Sequence, residues 1–446
     1  MVIQWFWSGV ALLVMLALSS GVLQPGDLSS LHEQARQLDE AGKYAEAVPL
    51  AQRAVGLAEK QFGPEHPWVA TSLNQLALLY HAQGRYAEAE PLHKRVLAIS
   101  EKTLSPEHPE VATSLNNLAL LYRAQGRYAE AEPLYKRALA IREKTLGPEH
   151  RGVGQSLSNI ATLNQAQGRY AEAEPLHKRA LAIREKALGP EHPDVGESLN
   201  NLAQLYHAQG RTAEAEPLQK RALAIAEKTL GPEHPRVATS LNNLALIYQA
   251  QLRHAEAEPL LQRALAIGEK TLGPEHPEVA PWLNSMALIH EAHGRYAEAE
   301  PLYKRALAIS EKTLGPEHPN VAMGLNNLAD LYRAQGRDAE AEPLLKRSLA
   351  IGEKTLGPEH PNVAMWSNNL AQLYRAQGRY AEAEPLYQRA LAINEKALGP
   401  DHPNVDESLR NLWLLYRAQG RHAEAEPLLK RRMAIDEKRL APRRPN

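Results

Sequence analysis

The sequence predicts an all-α solenoid of about ten stacked helix pairs. A block of 42 residues recurs about ten times, apolar residues within each block lie three and four positions apart, and a glycine closes the first half of nearly every block. A unit of this size cannot bury its own apolar face and must stack on its neighbours. We therefore expect one elongated array over residues 25–440 instead of several globular domains.

The register of the repeat is visible at two positions. The closing glycines are Gly42, Gly84, Gly126, Gly168, Gly210, Gly294, Gly336, Gly378 and Gly420, and Leu252 is the exception. Five residues further on, an alanine is present in every block: Ala47, Ala89, Ala131, Ala173, Ala215, Ala257, Ala299, Ala341, Ala383 and Ala425. Ten units are therefore predicted.

The third block shows why its first half should be a helix, called helix A below. Pro109 suits the first turn, where its missing N–H has no partner in any case. Leu115, Leu118 and Tyr122 then recur at helical spacing and indicate one buried face. Gly126 ends the helix, because glycine adopts the left-handed conformation without a Cβ penalty.

The second half of each block should form an antiparallel partner, helix B. In the third block its buried stripe includes Tyr128, Ala131 and Ala138, whose small members allow close helix packing. Pro133 removes one backbone hydrogen bond and should bend this helix. Because a proline recurs at this position in all ten blocks, a bend is a better interpretation than ten broken helices.

Composition removes several functional classes. The chain has 51 basic and 52 acidic residues and a net charge of −1, so no overall field attracts it to nucleic acid. It has no cysteine, which excludes disulfides, thiolate metal sites and cysteine nucleophiles. The sequence contains no phosphate loop, dinucleotide fingerprint, zinc-protease or serine-hydrolase motif. We therefore predict that the protein is not an enzyme and needs no cofactor.

The two ends of the chain differ from the array. Residues 1–24 contain an apolar run, Val10 to Leu18, that is too short to span a bilayer and suits a secretory signal or a membrane tether. No basic residue precedes the run, so an apolar cap on the first repeat is the alternative. Export or tethering is predicted, with a cytoplasmic location as the alternative, and membrane contact is expected only through this segment. Residues 441–446 form a basic tail.

A family resemblance follows from the third block. It rests on Leu115, Ala119, Tyr122, Gly126, Tyr128, Ala131 and Ala138. These residues resemble the tetratricopeptide signature, and the 42-residue form is similar to the repeats of kinesin light chains and their bacterial relatives, although no heptad coiled coil accompanies them. The resemblance covers residues 27–440. It implies a right-handed α-solenoid of about ten tetratricopeptide helix pairs whose A helices line a concave face and grip extended peptides.

Carried over by position, the resemblance places a row of asparagines in the groove. They are Asn74, Asn116, Asn200, Asn242, Asn284, Asn326 and Asn368. Carboxamides both donate to and accept from a peptide backbone, which suits extended ligands of varied sequence. The alternative is that these amides bridge neighbouring helices.

A second row on the predicted concave face varies between copies. It includes Arg123, Arg333, Arg375 and Arg417. Because a guanidinium binds a carboxylate in bidentate fashion, the row predicts acidic or carboxylate-bearing ligands. The alternative is a solvated row of charges.

Histidines recur in the loops between repeats and raise the question of a metal site. They are His66, His108, His150, His192, His234, His276, His318, His360 and His402. Successive loops should lie too far apart to share one ion, and the flanking acidic residue and proline are typical of a turn. No metal site is predicted.

The leading functional prediction is a non-catalytic scaffold that binds partner proteins or extended peptides on its concave A-helix groove. The alternative is a structural or assembly component acting through stacked edges or its convex face. No further amphipathic helix follows Leu440. An uncovered edge at that end favours self-association.

Overall fold

The computed structural model describes residues 27–440, and that part of the chain consists of twenty α-helices with no strand. Consecutive helices pack as antiparallel pairs, and each pair packs on the next. The prediction of an all-α solenoid of ten helix pairs is confirmed. The predicted signal or tether at residues 1–24 and the basic tail at 441–446 lie outside the described residues and remain predictions.

Helices A and B alternate along the chain. The A helices are α1 (Leu28–Glu40), α3 (Pro67–Ala82), α5 (Pro109–Ala124), α7 (Arg151–Ala166), α9 (Pro193–Ala208), α11 (Pro235–Ala250), α13 (Val279–Ala292), α15 (Pro319–Ala334), α17 (Pro361–Ala376) and α19 (Pro403–Ala418). The B helices are α2 (Tyr44–Phe62), α4 (Tyr86–Thr103), α6 (Tyr128–Leu146), α8 (Tyr170–Leu188), α10 (Thr212–Leu230), α12 (His254–Thr271), α14 (Tyr296–Leu314), α16 (Asp338–Thr355), α18 (Tyr380–Leu398) and α20 (His422–Leu440).

The loop histidines begin the A helices. Nδ1 of His108 accepts a hydrogen bond from the backbone N–H of Glu110 at 3.1 Å, and the other eight loop histidines make the same bond at 3.0–3.2 Å. Each histidine thereby satisfies one of the free N–H groups at a helix start. Their interpretation as turn residues is confirmed.

Glycine in the left-handed region ends nearly every A helix, as predicted. Gly126 has φ of +69°, and the next N–H, of Arg127, donates to the carbonyl of Tyr122 at 2.9 Å. Leu252 keeps the same turn with φ of +61°, at a cost of about 1 kcal/mol. Leu252 is 80% exposed, so the rest of the described chain covers little of it.

The B helices continue through their prolines. Helix α6 is unbroken although Pro133 lies inside it. Ala131 and Ala138 on the same helix are fully buried, as the close-packing argument requires. The prediction that the repeat's proline does not break helix B is confirmed, since packing on both sides compensates for the missing hydrogen bond.

At one contact between stacked repeats, the sizes of the two facing side chains are matched. A position near the end of each B helix faces a position in the next A helix. Between the second and third repeats these are Ser100 and Ser114, whose hydroxyl oxygens are 3.2 Å apart. Where the A helix carries a tryptophan at the position of Ser114, the facing residue is glycine. A Cβ atom at Gly352 would lie 2.0 Å from Cζ3 of Trp366, and Gly268 has the same relation to Trp282.

The solenoid contacts itself after one superhelical turn. A Cβ atom at Gly84 would lie 2.8 Å from Cδ of Pro319 and 3.0 Å from Cδ2 of His318. The same contact joins Gly42 to Pro277, Gly126 to His360 and Gly168 to His402. Each pair connects the A–B turn of one repeat with the loop that precedes the A helix six repeats later. The first four repeats therefore support the last four.

The same histidines hydrogen-bond across this contact. Nε2 of His276 lies 3.3 Å from the carbonyl oxygen of Glu40, and His318 and His360 bond to the backbone of Ala82 and Ala124. Because Nδ1 accepts from the helix start, Nε2 carries the proton and donates to these carbonyls. Burial lowers the pKa of His318 to about 4, so the contact forms with neutral histidine.

Two histidines of the B-helix core predict acid sensitivity. His93 and His177 are 2% and 1% exposed, and burial lowers their pKa values to about 3 and about 4. The unfolded chain therefore binds protons first as the pH falls. Stability should be complete above about pH 6.5 and decrease by about 1.4 kcal/mol per pH unit for each histidine until the folded pKa is reached.

The repeat itself provides the control. Gln219 occupies the same position in the fifth repeat and is fully buried. We expect the variant His93→Gln/His177→Gln to lose less free energy of unfolding than the wild type between pH 7 and pH 4.5, as measured by chemical denaturation. Equal losses in both proteins would show that these two side chains do not carry the acid sensitivity.

Candidate binding groove

A cavity of about 860 Å³ runs along the inside of the first superhelical turn. Its lining extends from His32 in α1 to Ser240 in α11, and most of it comes from the A helices. Leu78, Leu120 and Thr162 occupy equivalent positions in successive A helices and form part of the floor. A continuous surface of amides, hydroxyls and apolar side chains results, with arginines and carboxylates at intervals.

The predicted binding residues divide between this cavity and the rest of the array. Asn74, Asn116, Asn200 and Arg123 line the cavity. Asn284 lines a second, smaller space of about 220 Å³ together with Leu288 and Tyr303. The remaining predicted residues, Asn242, Asn326, Asn368, Arg333, Arg375 and Arg417, line neither. A ligand role for any of these residues remains a prediction.

The asparagines form a ladder between neighbouring A helices. Nδ2 of Asn117 donates to Oδ1 of Asn74 at 2.9 Å. The same bond joins Asn159 to Asn116 at 2.5 Å, Asn243 to Asn200 at 2.7 Å and Asn369 to Asn326 at 2.8 Å. These amides therefore do bridge neighbouring helices. Each such bond occupies the carbonyl of the first asparagine and leaves its amide hydrogens for other partners.

The ladder is interrupted where the sixth repeat meets the seventh, where the seventh meets the eighth and where the ninth meets the tenth. Asn242, Asn284 and Asn368 have carbonyl oxygens that are buried and accept no hydrogen bond from the described residues. For Asn242 the reason is visible in the sequence, because Ser285 stands where most other copies have the donating asparagine. An unpaired buried acceptor costs about 1–3 kcal/mol, so these gaps weaken the stack locally.

The variable arginine row has different surroundings at each position. Arg123 lines the cavity beside Leu120, and no carboxylate among the described residues pairs with it. Arg333 is bound to Asp330 at 3.0 Å. The guanidinium of Arg417 lies 5.2 Å from the centre of the Trp413 ring. Of these three, Arg123 is therefore best placed to receive an anionic ligand group.

Sequence reasoning missed two arginines that reach the cavity from the B helices. Arg184 is 2% exposed and donates to Oγ of Ser198 at 2.9 Å. Arg142 makes the equivalent bond to Ser156, also at 2.9 Å, and its burial lowers its pKa. Both occupy the position of Ser100. A comparison of the copies at this position would have revealed them.

The outer surface is covered by paired charges. Lys136 contacts Glu132 at 2.7 Å, the intrahelical pair that the spacing predicts. Pairs such as Arg127 with Glu90 at 2.6 Å connect neighbouring repeats. No group of three or more histidine and carboxylate side chains within residues 27–440 is arranged to hold a metal ion. In the same part of the chain, no helix is both long enough and apolar enough to cross a membrane.

Comparison with known proteins decides the family. The tetratricopeptide repeat model matches nine overlapping stretches that together span residues 27–438. This chain belongs to the tetratricopeptide repeat family. Its repeats are of the kinesin-light-chain type, as predicted. No curated protein matches the sequence.

Solved structures provide three relatives of this tetratricopeptide protein. A Podosopora anserina protein described as a kinesin light chain with nearly identical TPR-like repeats is 37% identical, with a TM-score of 0.40 over 47% of this chain and 99% of the other. BtubC (BKLC) from P. vanneervenii is 25% identical, with a TM-score of 0.41 over 53% and 92%. A Rap protein solved with Competence and Sporulation Factor is 15% identical, with a TM-score of 0.50 over 84% and 99%.

Proposed function

We propose that the protein is a non-catalytic scaffold that binds partner polypeptides in extended form along the inside of its superhelix. The observation that carries this proposal is the cavity of about 860 Å³, which is lined by A-helix amides, hydroxyls and leucines. Such a surface satisfies a peptide backbone at regular intervals without demanding one sequence. Membership of the tetratricopeptide family supports a role in protein interaction.

The fold is compatible with this use. The Rap protein that shares the fold was solved with Competence and Sporulation Factor bound. In the present chain, Asn74, Asn116 and Asn200 line the cavity, and the ladder bonds occupy their carbonyl oxygens and leave their amide hydrogens for a ligand. The asparagines thus serve both helix stacking and ligand binding.

Ligands with carboxylates are favoured beside Arg123 in the cavity. Arg123 provides a guanidinium without a carboxylate partner, and Leu120 provides adjacent apolar surface. A bidentate bond to a carboxylate contributes about 1.5–3 kcal/mol when it is shielded from water. Asp330 already neutralises Arg333, so that residue contributes less to the preference.

A binding measurement tests this proposal. The probes are fluorescent peptides of alternating Glu and Ala or alternating Lys and Ala, followed by anisotropy. We expect the acidic peptide to bind more tightly, Arg123→Glu to weaken its binding about tenfold or more, and Asn200→Ala, in the cavity lining, to weaken the binding of both peptides. The control Lys136→Glu, on a side chain that is 64% exposed on helix B, should bind as the wild type does.

The outcomes separate the two halves of the proposal. Weaker binding in Lys136→Glu with unchanged binding in Arg123→Glu would place the ligand on the outer surface. Equal binding of both peptides, with both weakened by Asn200→Ala, would retain the groove and remove the acidic preference. Circular dichroism of each variant confirms that the fold is unchanged.

A further inference from the structure

The contact between superhelical turns has two complementary sides. One side, called the turn edge, consists of the turns between helix A and helix B, which contain the closing glycines. The other, the loop edge, consists of the histidine loops that precede the A helices. Inside the molecule, the turn edge of repeats one to four is covered by the loop edge of repeats seven to ten, in the four contacts Gly42–Pro277, Gly84–Pro319, Gly126–His360 and Gly168–His402.

Both edges continue beyond these contacts and are uncovered among the described residues. On the turn edge, Gly210, Gly294, Gly336, Gly378 and Gly420 have nothing within 4 Å of a Cβ position. On the loop edge, His150 is exposed and His66, His108, His192 and His234 are half-buried, whereas the covered His318 and His360 are each 8% exposed. The molecule therefore presents one half of the contact at each end.

We propose that a second copy of this chain docks head to tail, with its loop edge on the turn edge of repeats six to ten. The occupant follows from continuity with a contact that the chain already makes four times with its own sequence. The exposed edges carry the same glycine turns and mostly the same His-Pro loops as the covered ones. Such a contact joins different surfaces and does not close, so it can extend into a filament.

The internal contacts fix the register. They join each turn glycine to the loop histidine 234 positions further along the chain. If the superhelix continues into a second copy, ten repeats of 42 residues separate corresponding positions of the two copies. Gly294, Gly378 and Gly420 then meet His108, His192 and His234 of the second copy. Glycine is required at these turns, because in the internal contacts a Cβ atom would lie 2.3–2.8 Å from the loop.

Leu252 interrupts this edge and limits the association. The register places it opposite His66 and Pro67 of the second copy. A side chain on the equivalent internal turn would collide with the proline ring, since even a Cβ at Gly84 would be 2.8 Å from Cδ of Pro319. Among the described residues, Leu252 is also the one non-glycine residue with a positive φ. Its replacement by glycine should both relax the turn and remove the obstacle.

Sedimentation velocity over a range of concentrations tests the proposal on the full-length chain. We expect the average mass of the wild type to rise with concentration, the variant Leu252→Gly to associate at least tenfold more tightly, and Gly294→Ala/Gly378→Ala to remain monomeric. The proposal is overturned if wild type and Leu252→Gly are both monomeric throughout, or if the double variant associates as the wild type does. Melting temperatures above the assay temperature establish that each variant is folded.

A mixing experiment tests the head-to-tail arrangement. The double variant Gly294→Ala/Gly378→Ala has a blocked turn edge and an intact loop edge, so it should add to one end of the wild type and stop growth. An excess of the variant is expected to reduce Leu252→Gly assemblies to species of two chains. Assemblies that keep their size in the presence of the variant would contradict this arrangement.

Discussion

Gly352→Ala is expected to destabilise the protein by about 3 kcal/mol. The added Cβ would lie 2.0 Å from Cζ3 and 2.4 Å from Cε3 of Trp366, a side chain that is fully buried. Neither can move without displacing a helix, and overpacking of this kind costs about 1–3 kcal/mol or more. Denaturation in guanidinium, with hydrogen exchange across α16 and α17, measures the loss and its location.

Two further variants make this prediction specific. Gly56→Ala is the matched control, because that glycine also lies inside a B helix and has nothing within 4 Å of its Cβ position. It should be neutral or slightly stabilising. Gly352→Ser/Trp366→Ser reproduces the Ser100–Ser114 pair. It should be less destabilised than the sum of the single changes, whereas strict additivity would argue against a direct contact.

Gly84→Ala is expected to open the contact between superhelical turns. Its φ of +69° costs an alanine about 1–2 kcal/mol, and the Cβ would also push against Pro319 and His318. Gly336→Ala has the same turn with φ of +72° and open space around it. At low protein concentration, both variants therefore pay the same free-energy cost of a positive φ. They differ only in whether the new Cβ meets the loop of the other superhelical turn.

The difference between these variants measures the closure. We expect Gly84→Ala to exchange amide hydrogens faster around residues 316–322 and to have a larger radius of gyration in solution scattering than Gly336→Ala. The difference in free energy of unfolding should be about 1–3 kcal/mol. Identical exchange, radius and stability would mean that the turns do not support each other in solution.

The local structure could be predicted from the sequence because it depends on short-range chemistry that each copy repeats. Pro109, Gly126 and the apolar spacing of α5 define a helix pair without reference to the rest of the chain. That the proline does not break helix B could be predicted for the same reason, since ten copies provide ten consistent observations. Leu252 was identified as the exception, and the structure adds that its turn lies on an uncovered edge.

The closure of the superhelix could not be predicted in this way. Gly84 meets Pro319 because a small rotation accumulates over six repeats, and no local pattern encodes that sum. The loop histidines indicate this closure only once the structure is known. Within one repeat only Nδ1 has a hydrogen-bond partner, and Nε2 finds its partner on the other superhelical turn. The coupled pair of Gly352 and Trp366 was accessible by comparing copies, since both residues depart from the repeat consensus.

The candidate groove was predicted in outline. The A helices do line the cavity, and Asn74, Asn116, Asn200 and Arg123 are there. The sequence could not show that these amides bond to each other, because the partner lies one position further in the next repeat, or that Asp330 neutralises Arg333. Arg142 and Arg184 reach the cavity from helix B, the face that the family resemblance does not implicate.

Site-specific photo-crosslinking tests the central claim, that partners bind inside the superhelix. A benzophenone amino acid replaces either Thr162, which lines the cavity, or Lys136, which is exposed on helix B. The acidic peptide is added, and crosslinked products are identified by mass spectrometry. We expect crosslinks from position 162 and none from position 136. Crosslinks from position 136 alone would place the binding surface outside and contradict the account.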